Sequence, residues 1–182
     1  MRQPKQLKFF KKPKLEHGGR INAGKRKIIR PLDSKRALHV VLRSSRARGK
    51  WSMLNPQNKN KMLSLLEKTA RANGVKVYQF ANVGNHLHLV IKFRHRDHFK
   101  KFLRSFAGRA AALITGAKKG HGVGKFWDTL AYTRIVEWGR DFISLCEYVT
   151  KNLFEGQGGE LLTAYGYRRF QISNGLLRSV PA

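Results

Sequence analysis

The chain has 182 residues, a length that suits one domain of ordinary size, and 41% of them are hydrophobic, enough to bury a core and to exclude disorder throughout. Lysine and arginine total 38 against 10 acidic residues, for a formal net charge of +28, a field that recruits polyanions and above all nucleic acid. No apolar run reaches the about 18 residues needed to span a membrane, so no membrane partner is expected. The basic opening lacks the apolar centre of a secretory signal, and the single cysteine, Cys146, allows no intrachain disulfide.

Residues 1–35 are rich in Lys, Arg, Gly and Pro without periodicity, and are expected to form a basic, poorly ordered arm that settles on nucleic acid. Globular patterning follows over 36–156. Ala37 to Ser44 alternates as a strand. Pro56 to Gly74 reads as a helix with Met62, Leu63, Leu66 and Ala70 on one stripe and Gly74 as its stop. Val75 to Val83 and His86 to Phe93 read as strands joined by a tight Gly84-Asn85 turn. A second helix carries Phe99, Phe102, Leu103, Phe106, Ala110, Leu113 and Ile114 at helical spacing. A Gly/Lys loop over 116–125 leads to an extended segment, Phe126 to Trp138. The last helix, Arg140 to Phe154, should bury Phe142, Leu145, Cys146, Val149 and Leu153; residues 157–182 form a tail. This order predicts an α+β fold: a ferredoxin-like antiparallel sheet with helices on one face plus an additional helix. Many functions share that topology, so chemistry must come from the residues.

The segment Asn85-His86-Leu87-His88-Leu89 puts two imidazoles on one strand face. Val90 and Lys92 share that face, while Leu87, Leu89, Ile91 and Phe93 form an apolar face for the helices to cover. Two adjacent imidazoles can supply two ligands to a divalent ion and leave its other positions open. On the last helix Tyr148 and Asn152 lie four apart, one above the other, beside the buried stripe. Tyr148 there either packs at the sheet margin or projects toward the histidines, with the Asn152 amide oxygen as a third ligand.

Together these motifs resemble the single-tyrosine HUH transposases, which include insertion-sequence and REP-associated tyrosine transposases. Their hallmarks are His-hydrophobic-His on a central strand and Tyr-x-x-x-Asn or Gln on a later helix, here Tyr148-Val-Thr-Lys-Asn152. The aromatic-rich Phe126 to Val136 matches a strand between them, so the similarity spans about Ala37 to Glu155. Val83-Gly84 stands where the family commonly has Met-Pro, and Leu153 where a proline often follows the asparagine. Tyr-x-x-x-Asn and the basic arm point to the REP-associated branch.

The resemblance implies that Tyr148 attacks a DNA phosphodiester to give a 5′-phosphotyrosine, with His86, His88 and Asn152 holding Mg²⁺ or Mn²⁺ that polarises the phosphate. One ester replaces another, so the step can reverse into strand joining. It also implies single-stranded or hairpin DNA as partner, action as a monomer or homodimer, and a DNA-associated place in the bacterial cytoplasm. Candidate nucleic-acid contacts are Lys25, Arg26, Lys27, Arg30, Arg43, Lys118, Lys119, Lys125 and Arg134.

Other features carry less. The run GHGVGKF fails as a P-loop, because position 119 is lysine and Phe126 follows Lys125. His95 and His98 sit among cations and suit a solvated face. His39 could line the site or serve the core. No acidic cluster supports a carboxylate-only two-metal nuclease. Tyr78, Phe80, Trp127, Tyr132 and Trp138 could stack unpaired bases or serve the core. The rival reading is a noncatalytic nucleic-acid-binding protein, a domesticated transposase or ribosome-associated protein, for which charge and topology suffice.

Overall fold

The computed structural model describes residues 15–26, 28–118 and 120–156. Five strands, β1 (Glu16–His17), β2 (Ala37–Arg43), β3 (Val75–Asn82), β4 (His86–Phe93) and β5 (Tyr132–Val136), form one antiparallel sheet in the order β1-β5-β2-β4-β3. Helices α1 (Pro56–Ala72) and α2 (Arg96–Thr115) cover one face, and α3 (Arg140–Gly156) packs on the other. The expected ferredoxin-like α+β architecture is therefore present.

Local chemistry explains the elements. Asn55 caps α1 by accepting from the Gln57 amide at 3.0 Å, and Pro56 opens the helix where no backbone donor is needed. The buried stripe of α1 is Met62, Leu65, Leu66, Thr69 and Ala70. Leu63, expected on it, is instead exposed, because position 63 lies about 100° round the helix from Met62. Leu87, Leu89, Ile91 and Phe93 enter the main core with Phe99, Phe102 and Phe106 of α2, and none is more than 1% exposed. Val90 joins a smaller cluster with Leu145 and Val149 of α3. The extended segment is shorter than expected: only Tyr132–Val136 pairs, while Phe126 turns into the core and Trp127 donates from Nε1 to Ala107 O at 2.9 Å.

The expected basic arm needs correction from Leu15 inward. Glu16 and His17 pair with Arg134 and Thr133 of β5, followed by a short 3-10 turn, Gly19–Asn22. Charge hid this strand, because two residues are too few to show alternation. Gly18 makes the close approach possible: its φ is 83° and ψ −163°, and a Cβ there would run into the Ala131 carbonyl. Gly18→Ala is expected to cost about 1–3 kcal/mol by forcing an alanine into a glycine-only conformation, measurable as a lower urea midpoint. Residues 1–14, Lys27, Lys119 and the tail from 157 lie outside the described residues.

Candidate active site

The turn before β4 fixes where the first histidine begins. Gly84 adopts φ 90°. Asn82 accepts from the Gly84 amide at 3.1 Å and donates to Met53 O at 2.7 Å, while Met53 N donates to Gly84 O at 2.9 Å. The turn is thus held to the loop before α1. Gly156, the last residue of α3, lies against Val83, and an added Cβ would meet that side chain at 2.9 Å. The C-terminal end of α3 is therefore placed beside the start of β4.

This docking brings the two motifs together. The His86 and His88 rings lie edge to face at 4.9 Å between centroids, and Tyr148 meets His88 edge to face at 5.6 Å. Tyr148 is half exposed, whereas His88 beneath it is 4% exposed, so the second imidazole is more enclosed than an open sheet face would leave it. Asn152 stands one turn beyond Tyr148. Its Nδ2 donates to the Tyr148 carbonyl at 2.8 Å, which leaves Oδ1 as the atom available to a ligand.

Both histidines are engaged at Nδ1. That of His86 lies 2.6 Å from Asn85 Oδ1, and that of His88 lies 3.1 Å from Nε2 of His39 on β2. The Nε2 of His88 is buried without a hydrogen-bond partner. Burial, then Arg43, lowers the pKa of His86. Burial, then His86, takes His88 down to about 4, and burial, His88 and Arg134 take His39 to about 3. All three rings are therefore neutral at neutral pH, with lone pairs available.

These residues fit a divalent cation. The donor types suit one: an orphaned buried nitrogen on His88, a second imidazole on His86 with its other nitrogen occupied, and an Asn152 amide oxygen one helical turn from the phenol. No three His, Cys, Asp or Glu side chains among the described residues converge as a metal cluster, so a closed tetrahedral zinc site is not assembled.

Beside Tyr148 and His88 opens a cleft of about 620 Å³. Its floor includes His39, Val41 and Arg43, its walls Tyr132 and Arg134 of β5 and Ser144 of α3, and the Gly19–Asn22 turn closes one side with Arg20 and Ile21. Burial, then Glu16, raises the Tyr132 phenol to about 12, so it stays protonated and serves as a wall.

The IS200-like transposase family matches residues 34–152 of this sequence. The chain belongs to that family. The resemblance read from the two motifs is thereby borne out, and the protein is a transposase. Among solved structures, a REP-associated tyrosine transposase bound to a REP hairpin is similar in fold, with a TM-score of 0.51 and 9% identity over 84% of this chain and 76% of that one. A candidate transposase from Deinococcus radiodurans aligns with a TM-score of 0.43 and 17% identity over 70% of this chain and 98% of that one. No curated protein sequence gives a significant match.

The cations of this transposase divide by what they touch. Arg43 lies opposite His86 across β2 and β4, lines the cleft, and has an exposed side chain with Asp128 4.0 Å away. Arg134 also lines the cleft but pairs with Asp141 at 3.0 and 3.1 Å. Arg30 is turned inward, donating to Ala131 O at 2.8 Å and Thr133 Oγ1 at 2.6 Å, with its pKa lowered by burial. Lys25, Arg26, Lys118 and Lys125 are exposed away from the histidines' hydrogen bonds, and Lys125 donates to Asp128 O at 2.8 Å. Arg20 is a site-lining residue that sequence patterning did not select, and His39, for which lining the site and serving the core were both open, lines the cleft. Arg43→Gln is expected to weaken single-stranded DNA binding and reduce the salt slope by about 0.7 to 1, read from titrations at several salt concentrations. Arg30→Gln should instead lower stability by about 1.5–3 kcal/mol, the range for hydrogen bonds to a charged group, with that slope unchanged.

The aromatic candidates are also sorted. Tyr78, Trp138 and Phe142 pack edge to face or tilted at 4.9–5.8 Å, with Lys76 over Tyr78 and Lys92 over Trp138. His95 and His98 contact each other at 5.3 Å on the α2 side, on a different strand end from His86. No helix among the described residues is long and apolar enough to cross a membrane.

Proposed function

We propose that this transposase cleaves and rejoins single-stranded DNA near hairpins through a 5′-phosphotyrosine intermediate on Tyr148. The observation that carries this reading is the edge-to-face meeting of Tyr148 with His88, beside an unpartnered Nε2 and a cleft open to solvent. The phenolic oxygen of Tyr148 forms a bond to phosphorus as the bond from phosphorus to the 3′-oxygen breaks. The phenol loses a proton and the departing 3′-oxygen gains one. Because an ester replaces an ester, the reverse step joins strands without a nucleotide energy source.

His86 and His88 through Nε2, with Asn152 through Oδ1, would hold Mg²⁺ or Mn²⁺. When bound, that ion polarises the phosphate and stabilises charge developing on its oxygens. The chain's own residues do the rest. Tyr148, half exposed, can reach a phosphate without unfolding α3. Arg43 and Arg20 supply positive charge along the cleft, and Ile21 gives it an apolar edge. A hairpin as the recognition element is supported by the complex in which the structurally similar transposase was solved.

Incubation with end-labelled oligonucleotides carrying a hairpin and a single-stranded flank, with Mn²⁺, tests the reading. A denaturing gel should show a covalent protein–DNA species holding the 5′-phosphate side of the cut, absent with fully duplex DNA. Tight, salt-sensitive binding with no covalent species at any metal concentration would leave a polynucleotide-binding protein without strand scission.

A further inference from the structure

Two imidazoles from different strands meet behind the site. His39 on β2 and His88 on β4 stack with centroids 5.4 Å apart and planes 10° from parallel, and His39 Nε2 lies 3.1 Å from His88 Nδ1. They are 6% and 4% exposed. Arg134 lies opposite His39 across β5, Tyr132 approaches it edge-on at 6.1 Å, and Tyr148 and His86 contact His88. Asp141 is paired with Arg134, and no carboxylate is hydrogen-bonded to either ring among the described residues. Two rings thus share one hydrogen bond, and only one proton can lie in it.

The position of that proton decides what His88 can bind. If His39 donated, His88 would carry its own proton on Nε2, a buried N–H with no acceptor and closed to a cation. If His88 donates from Nδ1, its Nε2 presents a bare lone pair. His86 already follows the second pattern, because Asn85 Oδ1 is an acceptor and requires the proton on His86 Nδ1.

We propose that His39 is a positioning residue: by accepting the Nδ1 proton of His88 it fixes that ring's orientation and holds its Nε2 as a lone pair toward the site. This inference rests on the reading that His88 ligates a divalent cation. An outer partner of this kind typically changes metal affinity about 10–100-fold. Packing alone explains the pair poorly, since the same volume filled by apolar side chains would bury no imidazole nitrogens.

The test uses ¹⁵N-histidine-labelled, metal-free protein and two-bond ¹H–¹⁵N spectra, followed by Mn²⁺ titration calorimetry. Wild-type His88 should show a protonated Nδ1 and a bare Nε2. His39→Phe keeps a ring of similar shape but cannot accept; it should shift His88 toward the Nε2-protonated tautomer and weaken Mn²⁺ binding about 10–100-fold. His39→Gln, whose amide oxygen can accept, should restore the Nδ1-protonated tautomer and bring affinity back to within a few-fold of wild type. A wild-type His88 protonated at Nε2 overturns the proposal, as does a His39→Phe protein with unchanged tautomer and affinity, or a folded His39→Gln protein no better than His39→Phe. Should wild type take up no Mn²⁺, the cation reading of His88 fails, and the metal-free spectra still decide the role of His39.

Discussion

Tyr148→Phe is expected to lower covalent adduct formation on hairpin DNA by roughly 10³-fold or more while leaving fold and DNA binding unchanged. The substitution isolates the chemistry. Tyr148 is half exposed, so losing its hydroxyl leaves no buried group unsatisfied, and phenylalanine keeps the edge-to-face contact with His88. The α3 stripe that anchors the helix, Leu145 and Val149, is untouched. A mobility shift should therefore report wild-type affinity while the denaturing gel shows no adduct. An adduct of undiminished yield on the phenylalanine variant would assign the nucleophile elsewhere and remove the basis for the proposed mechanism.

The second large effect is expected at the first histidine. His86→Ala should abolish measurable Mn²⁺ binding in the micromolar range and slow cleavage by about 10²–10³-fold, comparable to losing one charge-stabilising group at a developing oxyanion. His86 is the cleaner position for this experiment. It is half buried at the start of β4 and its Nδ1 partner, Asn85, is exposed. His88 is almost fully enclosed within the sheet face, so its truncation would add a cavity penalty to any loss of metal. Calorimetry with Mn²⁺ on metal-free protein separates the two effects. Unaltered Mn²⁺ affinity in His86→Ala would show that the cation is held by other groups.

The two experiments also separate their own failures. Loss of adduct in Tyr148→Phe with Mn²⁺ binding retained assigns the phenol to bond formation. Loss of Mn²⁺ binding in His86→Ala with DNA affinity retained assigns the imidazole to the cation. DNA affinity itself should follow the exposed cations such as Arg43, whose side chain faces solvent along the cleft.

Much of the site was legible in the sequence because its pieces obey short periods. Alternation from His86 to Phe93 puts both imidazoles on one face and four apolar side chains on the other, and the core contains those four. A spacing of four places Asn152 over Tyr148, and the hydrogen bond from Asn152 Nδ2 to the Tyr148 carbonyl follows that spacing. The phase of α1 is ambiguous in sequence at Leu63, since a stripe of Met62, Leu66 and Ala70 admits a neighbour on either side until the packing partner is known.

Cations were the least legible part. Arg30 and Arg43 look alike in sequence, yet one guanidinium is turned onto the β5 backbone and the other lines the cleft. Nothing in residue type distinguishes a buried donor from a phosphate contact; only the acceptors brought alongside do so. The same holds for the segment around Gly18, which composition marks as a loose basic arm. Its pairing with β5 depends on residues more than a hundred positions away.

By itself, then, the sequence determined the charge that selects a polyanion, the order of elements, and which side chains share a strand or helix face. These follow from local backbone geometry. Tertiary structure alone decided that α3 lays Tyr148 against His88, that His39 reaches His88 from 49 residues away, and that the Gly19–Asn22 turn after the edge strand walls the cleft. Those contacts depend on strand register and helix docking, which are set by the packing of the whole sheet and leave no periodic trace along the chain.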